Sequence, residues 1–334
     1  MTPVAGTKAI IPVAGVGSRL RPHTHTTPKA LIHVAGKPIL AHILDDLERL
    51  GVTDVVLVVG HMGEHIREYV DASYSHLTRS YVDQPERMGL GHAVRLTKSL
   101  VRGHPAFIVL GDTIFRGDLT GILAGGESRI GVKEVEDPRR FGIVEVKDGY
   151  AVRLVEKPDR PTSNLAIVGV YYMTDTVLLF DALDALVEKD LKTKGEYQLT
   201  DALQIMIERG HKIRPFPVEG WYDCGKTETL LETNRDLLEL RPPLNGVKAP
   251  AGTVFVPPVA VDPSAVIESS IVGPHVSIAA RAVVREAVVR NSIVNQDAVV
   301  EQILLEGSVI GENALVRGTY RHLNVGDSSE VRMG

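Results

Sequence analysis

Up to about residue 240, short apolar runs alternate with amphipathic stretches of helical period. Ile10 to Ala14 reads as a strand. Ile39 to Leu50 carries apolar residues at helical spacing behind Pro38, and Gly51 supplies the stop. Val55 to Val59 is an almost unbroken β-branched run, expected of a strand covered on both faces. The pattern then predicts a helix over 63–70, a short strand from Ser80 to Val82, a helix from Gly89 to Leu100 and a strand from Phe107 to Leu110. Residues 130–173 read as further strands, with turns at Asp137-Pro138 and Asp148-Gly149. Helices are expected at about 175–188, 199–209 and 226–240, with a strand around 213–218. This alternation predicts an α/β domain on a mixed, mostly parallel sheet.

Arg241-Pro242-Pro243 and Asn245-Gly246 mark a boundary, dividing 1–243 from 244–334. Beyond it the period changes. Val266, Val272, Ile278 and Val284 step by six, as do Val288, Val294 and Val300 after a slip, and Leu304, Ile310 and Val316 after another. A sustained period of six is a β-helix signature, one aliphatic residue per short strand stacking into a continuous core.

At 334 residues, 44% hydrophobic and 24% charged, the composition is that of two ordinary globular domains. Net charge is −5 and no basic tract occurs, so a nucleic-acid partner is not expected and any anion site is local. The single cysteine, Cys224, excludes an intramolecular disulfide and fits a reducing cytoplasm. The apolar run after Lys8 is too short and wrongly flanked for a signal peptide, and no stretch reaches the length of a membrane span.

Candidate chemistry concentrates in residues 8–29. The first apolar run ends in Ala14-Gly15-Val16-Gly17-Ser18, followed by Arg19 and Arg21, and Lys29 closes the segment behind Pro28. A buried strand feeding a glycine turn lets backbone N–H groups approach a phosphate. The cations neutralise charge and add forked hydrogen bonds. Leu20 stands where the dinucleotide fingerprint needs its third glycine, and no Gly-Lys-Ser/Thr follows, so neither common nucleotide motif applies. Ligands of parallel sheets sit beyond the carboxyl ends of the strands. Asp112 is there, after Gly111, where carboxylates commonly hold Mg²⁺ against phosphate oxygens. Asp223 is a second candidate, read as following the strand around 213–218.

Glu156-Lys157-Pro158 follows a strand, and the proline is expected to hold Lys157 extended, its ammonium reaching the site. Gln84 precedes Gly89-Leu90-Gly91-His92, and its planar amide suits a base edge. Glu196 and Thr200 precede or open a helix, where solvation and capping are the plain roles. His23 and His25 suit a loop rather than a zinc site, and Cys224 reads as a packing residue.

These pieces, in this order, resemble the sugar-1-phosphate nucleotidyltransferases. The matching motifs are the Gly15–Lys29 loop, Gln84 to Gly91, Leu110-Gly111-Asp112, Phe141-Gly142, Glu156-Lys157-Pro158, Gly195-Glu196 and Asp223. The resemblance implies a Rossmann-like catalytic domain followed by a left-handed parallel β-helix. It also implies transfer of a nucleotidyl group from a nucleoside triphosphate to a sugar 1-phosphate, with Mg²⁺ held by Asp112 and Asp223. By position, Arg19, Lys29 and Lys157 serve the reacting phosphates. Ala14, Gly15, Gly17, Ser18, Gln84 and Gly89 take the nucleotide. Gly142, Glu156, Lys157, Val168 and Glu196 take the sugar phosphate. Gln84 favours a pyrimidine, dTTP or UTP, and glucose 1-phosphate is the leading sugar.

The alternatives are a GTP:mannose-1-phosphate enzyme, a bifunctional enzyme whose β-helix transfers acyl groups through His275 or His322, and a non-catalytic regulatory subunit. The tail is expected to mediate oligomerisation or regulation, and a homo-oligomer is expected.

Overall fold

A computed structural model describes residues 6–116, 119–240 and 248–318. The boundary residues 241–246 and His322 lie outside them. Contacts divide the chain into Met1–Thr233 and Asn234–Gly334, the division falling inside the helix Thr227–Glu239.

The first unit is built on one mixed sheet. Its strands are β1 (Lys8–Pro12), β2 (Asp54–Val59), β3 (Thr78–Asp83), β4 (Ala106–Val109), β6 (Ser128–Glu134), β7 (Gly142–Lys147), β8 (Tyr150–Glu156), β9 (Leu165–Met173) and β10 (Ile213–Pro217); β5 (Thr113–Arg116) and β11 (Gly220–Asp223) form a separate ribbon. The main order is β8-β7-β9-β4-β1-β2-β3, with β6 on β9 and β10 on β6. One half, β4-β1-β2-β3, is parallel. On the other side β9 pairs antiparallel with β4, β6 and β7. The β7–β8 hairpin turns through Asp148 and Gly149 at φ +53° and +79°, the left-handed pair that such a two-residue loop requires. Ile10, Val56, Ile108, Ile130 and Tyr171 are buried in one apolar cluster.

The expected first strand ends at Pro12, two residues early, which leaves Val13 and Ala14 to start the glycine loop. The helix expected from Gly89 to Leu100 begins at Leu90 and breaks at Thr97. The Thr97 hydroxyl donates to the Val94 carbonyl at 2.7 Å, and such back-bonding disturbs a helix.

In the second unit, strands from Val254 to Arg317 stack into three four-stranded parallel sheets, as the expected left-handed β-helix requires. The register corrects the sequence reading. Interior positions are Phe255, Val261, Ile267, Val272, Ile278, Val284, Val289, Val294, Val300, Leu305, Ile310 and Val316, matched coil to coil by the strand pairing. Val266, Val288 and Leu304, expected inside, face outward, Leu304 with 79% exposure. Steps of six give way to steps of five at the corners holding Ser269, Glu286, Asn291, Gln302 and Gly307, whose φ values of +47°, +47°, +42°, +53° and +58° turn the chain sharply. Both neighbours at each such strand are aliphatic, so the period alone did not choose between them.

Candidate functional site

The strand ends set the site. After β1, Val13 N–H still donates to Val58 O at 2.8 Å. The chain then leaves the sheet through exposed Gly15, where an added Cβ would meet nothing within 4 Å. Gly17 follows at φ +64°; its Cβ would sit 3.0 Å from Lys29 Cβ and from Thr24 Cγ2. Thr24 Oγ1 donates to Gly17 O at 2.8 Å, tying the loop to its own return. Arg19 is exposed on the short turn Ser18–Leu20.

Lys29 is buried, and its Nζ donates to Asp112 Oδ2 at 2.8 Å. Asp112 stands beyond β4, after Gly111, whose Cβ would fall 2.7 Å from Pro12 O. Burial alone would raise the Asp112 carboxyl, but the Lys29 charge and hydrogen bond, the Thr113 hydroxyl and Arg19 hold it below the usual carboxylate range. Its side chain remains 43% exposed, so it faces open space as well as Lys29.

The β5–β11 ribbon was not foreseen, and it brings the two aspartates together. Asp223 ends β11, not the strand around 213–218, and pairs in register with Thr113, next to Asp112. Cys224 N–H donates to Asp112 O at 3.3 Å. A Cβ at Gly225 would lie 2.7 Å from Asp223 Oδ1 and 3.2 Å from Arg19 Nη2, so glycine keeps that corner clear. Among the described residues no cluster of three or more His, Cys, Asp or Glu is arranged for a metal. Two carboxylates suffice for Mg²⁺, which keeps waters and shares itself with substrate phosphates. The donor set therefore fits that ion.

A cavity of about 700 Å³ opens beside these groups, and the described residues that line it all belong to the first unit. It collects Arg19, Asp112, Gly142, Glu156, Lys157, Val168, Glu196 and Asp223 from the expected set. Ala14, Gly15, Gly17, Ser18, Lys29, Gln84 and Gly89 do not line it. Lys157 is not extended. Its N–H closes the β7–β8 hairpin by donating to Phe141 O at 3.0 Å, and φ +42° redirects the chain, overriding the local preference set by Pro158. Its Nζ is 3.3 Å from Glu156 Oε1, while Thr200 Oγ1 donates to Glu156 Oε2 at 2.7 Å. Thr200 is therefore not the expected cap: the helix Leu199–Glu208 begins behind Gln198 and has no side-chain cap. Glu196 accepts from Gln198 Nε2 at 3.1 Å. Val168 reaches the cavity beside the β9 bulge at Gly169, φ +87°, where a Cβ would strike Leu110 Cδ1 at 2.5 Å.

Sequence reasoning missed Arg139, Arg140 and Lys194, which also line the cavity. The Arg139-Arg140 pair beside Phe141-Gly142 was the available signal. It also missed the aromatic wall, Phe141 edge-on to Trp221 with ring centroids 4.9 Å apart. Cys224 is fully buried; burial pushes its thiol up to about 12, partly opposed by Lys29, so it is a packing residue. In the repeat unit, His275 Nε2 lies 2.6 Å from Glu239 Oε1.

Residues 8–239 match the family model described as nucleotidyl transferase. A low-salt glycan biosynthesis nucleotidyltransferase of Haloferax volcanii is 39% identical over 241 residues, covering 70% of this chain and 66% of its own length. A glucose-1-phosphate thymidylyltransferase of Streptomyces griseus is 31% identical over 341 residues, covering 97% of this chain and 95% of its own. A UDP-glucose pyrophosphorylase solved with UDP-glucose superposes with a TM-score of 0.62 at 26% identity, covering 70% of this chain and 99% of that one. No helix among the described residues is long and apolar enough to cross a membrane.

Proposed function

The chain belongs to the nucleotidyl transferase family, and from that premise we propose that it joins a nucleoside triphosphate to a sugar 1-phosphate, releasing pyrophosphate. We favour dTTP or UTP and glucose 1-phosphate. The observation that carries this reading is the convergence of Arg19 and Lys157 with the Asp112–Asp223 pair around one cavity. A sugar phosphate oxygen attacks the α-phosphorus in line; the new P–O bond forms as the bond to pyrophosphate breaks.

Two anions must approach, and at about 4 Å and an effective dielectric of about 20 each charge pair opposes this by about 4 kcal/mol. The cations offset that. Arg19 steadies the reacting phosphates and the departing pyrophosphate. Lys29, resting on Asp112, binds the triphosphate. Lys157 grips the sugar phosphate, with Gly142, Glu156, Val168 and Glu196 around the sugar and Phe141 and Trp221 as an apolar wall. Ala14, Gly15, Gly17 and Ser18 give the triphosphate open backbone, and Gln84 and Gly89 meet the base. Asp112 and Asp223 would hold Mg²⁺, which supplies charge neutralisation at the phosphates when bound. Catalysis is positioning and neutralisation, with no covalent intermediate.

Pyrophosphate release with glucose 1-phosphate and Mg²⁺ across UTP, dTTP, GTP, ATP and CTP tests this. Strong use of UTP or dTTP, abolished by chelator, is expected; unchanged turnover in chelator overturns the metal assignment. Action in the cytoplasm and assembly into a homo-oligomer through the repeat unit belong to the same reading.

A further inference from the structure

The side-chain amide of Gln84 has two hydrogens, and both are committed. Gln84 follows β3, where its N–H continues the ladder by donating to Val59 O at 2.8 Å. Its side chain is nearly buried, with the residue 7% exposed. Nε2 lies 3.3 Å from Gly89 O and 3.2 Å from His92 Nδ1. A backbone carbonyl only accepts, so the nitrogen end of the amide must face Gly89; the reverse assignment sets two acceptors together. The second hydrogen then points to His92 Nδ1, which must be the unprotonated ring nitrogen. Burial, and then Arg95, pulls His92 below its ordinary value against Glu86, which favours that neutral ring.

Gly89 O cannot drift to suit another arrangement. Gly89 sits at φ +107°, and a Cβ there would lie 2.5 Å from Tyr197 O. Gly91 N–H donates to Tyr197 O and Tyr197 N–H to Met88 O, both at 2.8 Å, locking the turn on either side. Among the described residues Gln84 Oε1 accepts from nothing. Gln84 therefore offers a ligand an acceptor and no donor.

We propose that His92 is a positioning residue that sets base selectivity: by holding Gln84 Nε2, it presents only Gln84 Oε1 to the base. The inference rests on the reading that Gln84 meets the base. Uracil and thymine carry a ring N–H at the 3-position, which suits an acceptor. Cytosine has the same ring shape with a lone pair at that atom, so it is repelled. Without His92 one amide hydrogen loses its partner and the amide is freer to turn.

The test compares kcat/KM for UTP, dTTP and CTP in the full chain and in His92→Leu and His92→Asn, with a thermal melt to confirm folding. The wild type is expected to favour UTP or dTTP over CTP. His92→Leu should cut that ratio about tenfold or more, mainly through a higher KM for UTP or dTTP, with kcat little changed. His92→Asn, whose amide oxygen restores an acceptor near Nδ1, should recover most of the ratio. A folded His92→Leu that keeps the ratio, or a wild type using CTP as well as UTP and dTTP, overturns the inference while leaving the transferase reading standing. No turnover with any triphosphate overturns both.

Discussion

At Gly142 a side chain would meet the groups proposed to surround the sugar. An added Cβ lies 2.9 Å from Glu156 Oε2 and 3.0 Å from Thr200 Oγ1, a pair already joined by a hydrogen bond. Gly142→Ala is expected to raise KM for the sugar phosphate about tenfold while changing KM for the triphosphate little, because the loss falls on one substrate's binding. Steady-state kinetics with each substrate varied in turn would show it; equal effects on both would contradict the assignment. Asp112 couples chemistry to stability. Asp112→Asn removes one carboxylate of the proposed ion site and leaves the Lys29 ammonium, on a side chain only 10% exposed, without its partner. A fall in kcat of about 100-fold is expected. So is a stability loss of about 1–2 kcal/mol, kept small because the carboxylate is part-exposed. Urea titration alongside the assay separates the two. Cys224 makes the opposite prediction. With its thiol pushed up to about 12 and its side chain enclosed, native protein at pH 8 should resist alkylation until it unfolds.

Among elements, the repeat coils test register most directly. Val289 is fully buried while its neighbour Val288 is half-exposed on the outer face. Val289→Asp places a carboxylate in the apolar column and is expected to cost at least about 3 kcal/mol, whereas Val288→Asp should cost under about 1 kcal/mol. Thermal melts of the two variants decide; equal losses would refute the register. The example also shows what was legible beforehand. Helices such as Ile39–Arg49 and strands such as Asp54–Val59 are stated by local period, and they lie within a residue of expectation. The face of Val288 depends on a corner closing in five residues instead of six, which the neighbouring aliphatics mask. The ribbon of Thr113–Arg116 with Gly220–Asp223 is a pairing between residues about a hundred positions apart, and no local pattern encodes it. The site motifs were readable because glycine, arginine and aspartate at strand ends have few structural reasons to occur together. The partners that orient them, Thr200 on Glu156 and Lys29 on Asp112, arise only from packing.

At the scale of the whole molecule, the repeat unit carries outward aliphatic columns that no catalytic role explains. Val254, Ile271, Val288 and Leu304 stand in register on one face, and Val266, Val283, Val299 and Leu315 on another. Leu304 and Leu315 are 79% and 63% exposed. A β-helix has no need of apolar residues on its outer faces, since its interior column already supplies the core. Contiguous exposed apolar surface of this kind marks an interaction site. In the reading proposed above, a second copy of the chain covers it. Replacing both leucines in the full chain, Leu304→Glu with Leu315→Glu, adds charge to two faces while leaving every interior position intact. The variant should run as a smaller species than the wild type in light scattering, with turnover per subunit retained because the described residues that line the cavity all belong to the first unit. An oligomer of unchanged mass would show that these columns do not hold it together. A smaller species that also lost turnover would show instead that assembly and catalysis depend on each other.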